Sequence, residues 1–206
     1  MGTLPLASAL SRRTELIRQE VTGDMTGSTA AQVAQGDDIL LQRLQAVEDH
    51  LAILNLLAGS ALSSDAPSEN YWQSLYADAA TMDRGAGQAA LSRDDMMAVV
   101  RGPEQERASA HGMAHLGALP HVVIAGEQAV ATGYLLIVVP DGAAPPVALP
   151  GKGTAGQLAL YQLTVNRWDF IRTSTGWQVS QRKIRPLTSD EARAMLHGGL
   201  AMTINV

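Results

Sequence analysis

An α+β fold is predicted by three observations. Apolar residues recur at three- and four-residue steps through the first half of the chain, the rhythm of amphipathic helices. After His115 that rhythm gives way to long strand-like runs separated by short turns. The helical segments come first and an antiparallel meander follows, which is the order of an α+β domain. Long strands that hug the helices make a cone-shaped α+β barrel, a strongly curved mixed or antiparallel sheet wrapped around N-terminal helices with one pocket.

The elements follow in order. Residues 1–36 read as an N-terminal extension, with a short helix over residues 11–21 and a linker over residues 22–36 rich in Gly, Thr and Ala. The domain, residues 37–206, starts at Asp37-Asp38, good helix N-caps. Leu40, Leu44, Val47, Leu51, Leu54 and Ala58 then form the apolar stripe of a helix of about six turns. Gly59 and the cluster Ser63-Ser64-Asp65-Ala66-Pro67 end it. A second helix runs from Pro67 to about Tyr76, with proline at its start, and residues 77–83 form a short strand. Residues 92–101 form a third helix, with Ser92 and Asp95 at capping-box spacing.

Residues 122–124 and 129–139 read as strands joined by a turn at Gly126-Glu127, and residues 141–156 as a loop. Residues 158–172 form a long strand, Ser174-Thr175-Gly176 a turn, and residues 177–184 a last strand. Thr188 and Glu191 are spaced as a capping pair for a final helix ending near His197-Gly198-Gly199. No internal repeat is visible.

Composition narrows the function. The chain has 206 residues, 46% hydrophobic and 17% charged, which suits one domain with an appendage. Its net charge is −5 and its 15 Lys and Arg are scattered, so no nucleic-acid partner is expected. The absence of cysteine excludes disulfides, thiolate catalysis and Cys-zinc sites. No apolar run reaches the roughly 18 residues a membrane span needs. Residues 1–10 lack the basic start and long apolar run of a signal peptide, so no membrane partner and a cytoplasmic location are expected. With one Phe and eight Met, a pocket would be lined by Met, Leu, Val and Ala with a few Trp and Tyr.

The most informative segment is His111-Gly-Met-Ala-His115, which holds two of the five histidines. A neutral imidazole titrates near pH 7 without help, which makes a placed histidine the default candidate for proton transfer. His111 and His115 at helical spacing would share a metal only with a further ligand, from Asp65 or His121. The segment lacks the Glu of the HExxH motif, so no metal and no cofactor are expected. Asp65 has a plain reading as a turn and cap residue. Gly151-Lys152-Gly153-Thr154-Ala155-Gly156 matches GxGxxG by letter but enters a strand, so it is not read as a dinucleotide site. Asp94-Asp95 reads as a helix start, and His50 and His197 as solvent-facing helix residues.

Several motifs occur together in a known order. They are Leu44-Gln45-Ala46-Val47-Glu48-Asp49 leading into Ile53-Leu54-Asn55-Leu56-Leu57, then Leu75-Tyr76-Ala77-Asp78-Ala79-Ala80 and Ile124-Ala125-Gly126-Glu127-Gln128-Ala129-Val130-Ala131. Arg167-Trp168-Asp169-Phe170-Ile171-Arg172 and Gly176-Trp177-Gln178-Val179 with Arg182 complete the set. On these residues, over about 38–187, the chain resembles the nuclear transport factor 2-like superfamily in its SnoaL-like branch. The closest functional pattern is that of the hexachlorocyclohexane dehydrochlorinase and scytalone dehydratase group, which uses a His-Asp pair for elimination. In that pattern an Asp follows the first helix, and a His precedes the first long strand with Gly two residues on. Asp65 and His115, with Gly117, fall at those places, and His111 matches a further histidine.

The resemblance implies a cofactor-independent lyase. Elimination of a dehydratase or dehydrohalogenase type comes first and C–C cleavage second, on a small apolar cyclic or aromatic molecule. His115 would be the base and Asp65 its orienting partner. His111, Tyr134, Tyr161, Trp168, Arg172 and Met97 are the expected substrate contacts. A tyrosine such as Tyr134 or Tyr161 would supply a proton to departing hydroxide. Arg167 and Arg182 compete with Arg172 as pocket cations, and strand parity decides which face inward. Two other outcomes are compatible with the sequence. One is a polyketide-cyclase-like enzyme or isomerase using the same pair. The other is a ligand-binding or assembly subunit, which requires an occluded cone or a dyad too far apart to hydrogen-bond. A homo-oligomer, trimer or dimer, is expected, with residues 1–36 wrapping a neighbour.

Overall fold

The computed structural model describes residues 27–151 and 153–202. The helix expected over residues 11–21 lies outside the described residues. The chain divides into two compact units, Met1–Val47 and Glu48–Val206. The described residues of the first unit are all helical and belong to α1 (Gly27–Asp65). Residues 27–36 are therefore helix where a linker is expected. Ala, Gln and Val fill most of that stretch, and helix propensity wins over its scattered Gly and Thr.

In the second unit the buried face of α1 follows the expected apolar stripe only in part: Leu54 of that stripe packs against the core. Leu51 is 53% exposed, whereas Ile53 is 0% exposed and Asp49, Ser60 and Ser63 are buried with it. The buried positions keep the helical rhythm, but an Asp and two Ser hide it from a hydropathy reading. Ser63 and Ser64 both donate their hydroxyls to the Ser60 carbonyl, at 3.1 and 2.9 Å. Such back-bonding competes with the backbone ladder, and Pro67 cannot extend it, so α1 stops at Asp65.

The next elements are α2 (Glu69–Leu75), β1 (Tyr76–Asp83), β2 (Leu91–Ser92), α3 (Arg93–Val100) and α4 (Pro103–Ala110). The capping box of α3 forms as its spacing predicts: the Ser92 hydroxyl accepts the Asp95 N–H, and an Asp95 oxygen accepts the Ser92 N–H at 2.9 Å. The helix α4 is not expected from hydropathy, because it has no buried residue. It starts on Pro103 at N1 and carries Glu104 and Glu106 in its first turn, which suit a helix N-terminus.

The remaining elements are β3 (Ala114–Gly117), β4 (His121–Ala125), β5 (Gln128–Pro140), β6 (Val147–Leu149), β7 (Gly153–Ala155), β8 (Leu158–Thr173), β9 (Gly176–Pro186) and α5 (Asp190–Ala201). The main sheet has the order β2-β1-β9-β8-β5-β3, with β4 also on β5. It is antiparallel except where β1 runs parallel to β9. Bulges in the pairings of β1 with β9, β5 with β8, and β8 with β9 bend the long strands. The mixed sheet keeps two ends, β2 and β3, and so does not close into a barrel. The loop expected over residues 141–156 contains the small hairpin of β6 and β7. The cap of α5 is Ser189, whose hydroxyl accepts the Ala192 N–H, one residue beyond the expected Thr188.

Ile53, Trp72, Leu75, Tyr76, Phe170 and Val179 belong to the core between the helices and the sheet. One clasp in it is ionic. Asp49 is 6% exposed and accepts hydrogen bonds from both terminal nitrogens of Arg172 and from the Trp177 indole. The Arg172 guanidinium lies over the Trp177 ring, 4.3 Å from its centroid. This arrangement fixes α1 to β8 and β9 with a buried charge neutralised on several sides.

Two stability effects follow from local contacts. Gly59 is where Tyr71 crosses α1: a Cβ there would lie 1.9 Å from the Tyr71 hydroxyl and 2.2 Å from its ring carbon. Gly198, in α5, has nothing within 4 Å of such a Cβ. Gly59→Ala is therefore expected to destabilise by about 1–3 kcal/mol despite better helix propensity. Gly198→Ala is expected to stabilise by about 0.5–1 kcal/mol. Urea unfolding of the pair reads both; stabilisation at Gly59 contradicts the packing described.

The second effect depends on pH. Asp83 accepts from Arg185 at 2.7 Å and from the Gly85 N–H at 2.8 Å. The Arg185 hydrogen bonds first, then that N–H, hold its carboxyl below the usual carboxylate range. A carboxyl depressed on folding adds stability above its unfolded pKa and loses it as pH falls through the folded value. Asp83→Asn should thus be less stable than wild type at pH 7. The gap should narrow in thermal melts below about pH 4. A constant gap down to pH 3 contradicts it.

Candidate active site

Asp65 ends α1, and His115 lies on β3, an end strand of the sheet. The chain reaches β3 from α4 through His111 and Gly112, whose φ of 89° is a left-handed conformation suited to glycine. An edge strand leaves backbone N–H groups without a neighbouring strand. One carboxylate oxygen of Asp65 accepts the His115 backbone N–H at 2.8 Å. The other lies 2.6 Å from His115 Nδ1. An ionised carboxylate only accepts, so the ring must donate from Nδ1. In the neutral imidazole this leaves the lone pair on Nε2. The side chains are 13% exposed for His115 and 25% for Asp65, so the pair is sheltered but reachable.

His115 lines a cavity of about 770 Å³. Its walls come from α1 (Leu54, Ala58), α3 (Met96, Val100), β5 (Leu135, Ile137), β8 (Thr164, Trp168) and β9 (Arg182, Ile184). The wall is mainly apolar. Arg182 is 6% exposed and donates from Nε and Nη2 to Asn166 Oδ1, at 3.0 and 2.8 Å. Its guanidinium lies 5.4 Å from the Trp168 ring centroid, its partner across β8 and β9.

Several expected contacts lie elsewhere. Tyr134 alternates with Leu135 and faces away from the cavity, 39% exposed. Tyr161 alternates with the cavity-lining Gln162 and is 70% exposed. Neither is placed to donate a proton in the cavity. Arg172 shares the inward face of β8 with Trp168, but Phe170 stands between them and Asp49 clasps the guanidinium. Arg167 pairs with Asp169. Met97 is buried but does not line the cavity, whereas its neighbour Met96 does. His111 caps α4, is exposed, and its Nδ1 lies 2.6 Å from the Arg107 carbonyl. It borders a separate pocket beside Pro140. The helical i, i+4 relation of His111 and His115 is broken by the turn at Gly112, so their rings do not converge on one metal. Of the expected residues, Trp168 and His115 line the cavity, and Asp65 is bonded behind His115. Arg182, Gln162 and Thr164 join them: strand alternation from Trp168 finds Gln162 and Thr164, and cross-strand register with Trp168 finds Arg182.

Residues 45–183, more than half of the chain, match the family model of the SnoaL-like domain. The chain belongs to the SnoaL-like domain family. This SnoaL-like domain is similar to the crystal structure of an NTF2-like protein with a cystatin-like fold from Novosphingobium aromaticivorans. The identity is 25% and the TM-score 0.66, over 76% of this chain and 94% of that one. An NTF2-like superfamily protein of Salmonella enterica shares the fold at 10% identity and a TM-score of 0.53, over 70% of this chain and 95% of that one. The hexachlorocyclohexane dehydrochlorinase of Novosphingobium barchaimii shares it at 16% identity and a TM-score of 0.51, over 71% of this chain and 89% of that one. No curated protein matches the chain. Among the described residues, no helix is long and apolar enough to cross a membrane.

Proposed function

We propose that this SnoaL-like domain is a cofactor-independent lyase in which His115 removes a proton from carbon. The observation that carries the reading is the 2.6 Å contact of Asp65 with Nδ1 of a histidine that lines an apolar cavity. The fold alone does not carry it, since one fold hosts many activities. Nε2 takes the proton from a substrate C–H. The C–H electron pair becomes the new π bond, and the bond to the leaving group on the neighbouring carbon breaks with its electrons on that group. Asp65 stabilises the imidazolium as it forms, and the proton then passes to water. A leaving group stable as an anion departs unaided. Hydroxide needs a proton, and with Tyr134 and Tyr161 outside the cavity that proton would come from His115 itself, on the same face of the substrate. The mainly apolar wall favours a small cyclic or aromatic substrate. The open cavity and the short dyad argue against a purely structural subunit, which needs neither.

The test uses a generic probe for a positioned base. In 5-nitrobenzisoxazole, loss of one C–H proton opens the ring to a cyanophenolate with no acid required. Purified protein should accelerate that opening well beyond free imidazole at equal concentration and pH. A rate no greater than that of free imidazole counts against the proposal.

A further inference from the structure

We propose that the substrate of this cavity carries a carboxylate, and that Arg182 holds it. The proposal rests on reading the cavity as the reaction site and adds the class of molecule that enters it.

Among the described residues, those lining the cavity include Arg182, Arg84 and His115, and no Asp or Glu. The chain as a whole has net charge −5, so its acidic majority is kept off this wall. Arg84 is exposed, whereas Arg182 is 6% exposed and makes no ion pair with a carboxylate among the described residues. A buried cation is costly unless it is paired or fully hydrogen-bonded. Its partners here are neutral: Asn166 Oδ1, and the Tyr76 hydroxyl at 3.5 Å from Nη1.

Donor counting shows what is left. A guanidinium has five N–H groups. Nε and one N–H of Nη2 are used on Asn166, and one N–H of Nη1 on Tyr76. One N–H remains on each terminal nitrogen for a further acceptor, and a carboxylate offers two oxygens. Asn166 and the Trp168 face hold the head group in place, so little side-chain freedom is lost when an anion arrives.

A wall with a cation and no carboxylate is complementary to an anionic, oxygen-bearing ligand. A neutral hydrocarbon would leave the guanidinium unanswered.

Calorimetric titration with 2-naphthoate and with neutral 2-naphthamide tests this on the intact protein. The acid is expected to bind about tenfold more tightly than the amide, or better, and the difference should shrink with added salt. Arg182→Gln should remove the preference, and detectable amide binding by that variant shows that the cavity persists. Arg84→Gln should keep the preference. The proposal is overturned by equal affinities in the wild type, by no detectable binding of the acid, by a preference that survives Arg182→Gln, or by one that vanishes with Arg84→Gln. If Arg182→Gln does not fold, the comparison in the wild type still decides. His115→Ala should retain the preference while losing elimination. Naphthoate preference without any elimination in the wild type would therefore defeat the lyase reading and leave the anion site standing.

Discussion

His115→Ala is expected to lower the rate of ring opening of 5-nitrobenzisoxazole by about 10²–10⁴-fold, the usual worth of a positioned general base. The loss should fall on kcat more than on KM, because the apolar walls that bind the probe are untouched. The fold should survive. His115 sits on an edge strand, and its backbone N–H keeps its acceptor on Asp65. The expected stability change is about 1 kcal/mol, read by urea unfolding. Rescue by added imidazole would support a missing base. An alanine variant as active as wild type removes His115 from the chemistry.

Asp65→Asn is expected to cut the same rate by about 10³–10⁴-fold, although it preserves size and shape. The reason lies in acceptor counting. Asp65 accepts two N–H groups at once, the His115 backbone at 2.8 Å and the ring Nδ1–H at 2.6 Å. An Asn has one oxygen to offer. If that oxygen keeps the backbone N–H, the amide NH₂ faces Nδ1 and forces it to accept. The ring proton then moves to Nε2, and the lone pair no longer faces the substrate. The variant should fold and bind probe but turn it over at a rate near that of His115→Ala. The double variant should be little slower than either single one, since the two residues act as a unit. Multiplicative losses would mean that they act separately.

Much of this was legible in the sequence where local chemistry and tertiary demand agree. The Ser92/Asp95 box, the turn at Gly126-Glu127 and the long strands β5, β8 and β9 follow from caps, turns and alternation. The spacing of Asp65 and His115 carried the resemblance that paired them. What was hidden had little apolar signal. The buried face of α1 includes Asp49, Ser60 and Ser63, and α4 buries nothing, so a hydropathy reading passes over both. β3 is only four residues long and is held in part by a side chain of α1.

The substrate contacts were the least legible part. Parity separates Tyr134 and Tyr161 from the cavity, and fixing it needs the register of β5 with β8, including the bulge after Ile137. Arg172 has the correct parity but the wrong position along the strand. Only the long-range clasp by Asp49 reveals that, across 123 residues of sequence. Arg182 stood among three arginines until its register with Trp168 set it on the cavity wall.

In the proposed mechanism Asp65 locks His115 as the Nδ1–H tautomer, with its lone pair toward the cavity. Nitrogen-15 NMR of the histidine rings, assigned with His115→Ala, reads this directly at a pH where the ring is neutral. A protonated, pyrrole-type Nδ1 and an unprotonated, pyridine-type Nε2 are expected for His115. A neutral His115 carrying its proton on Nε2 would contradict it.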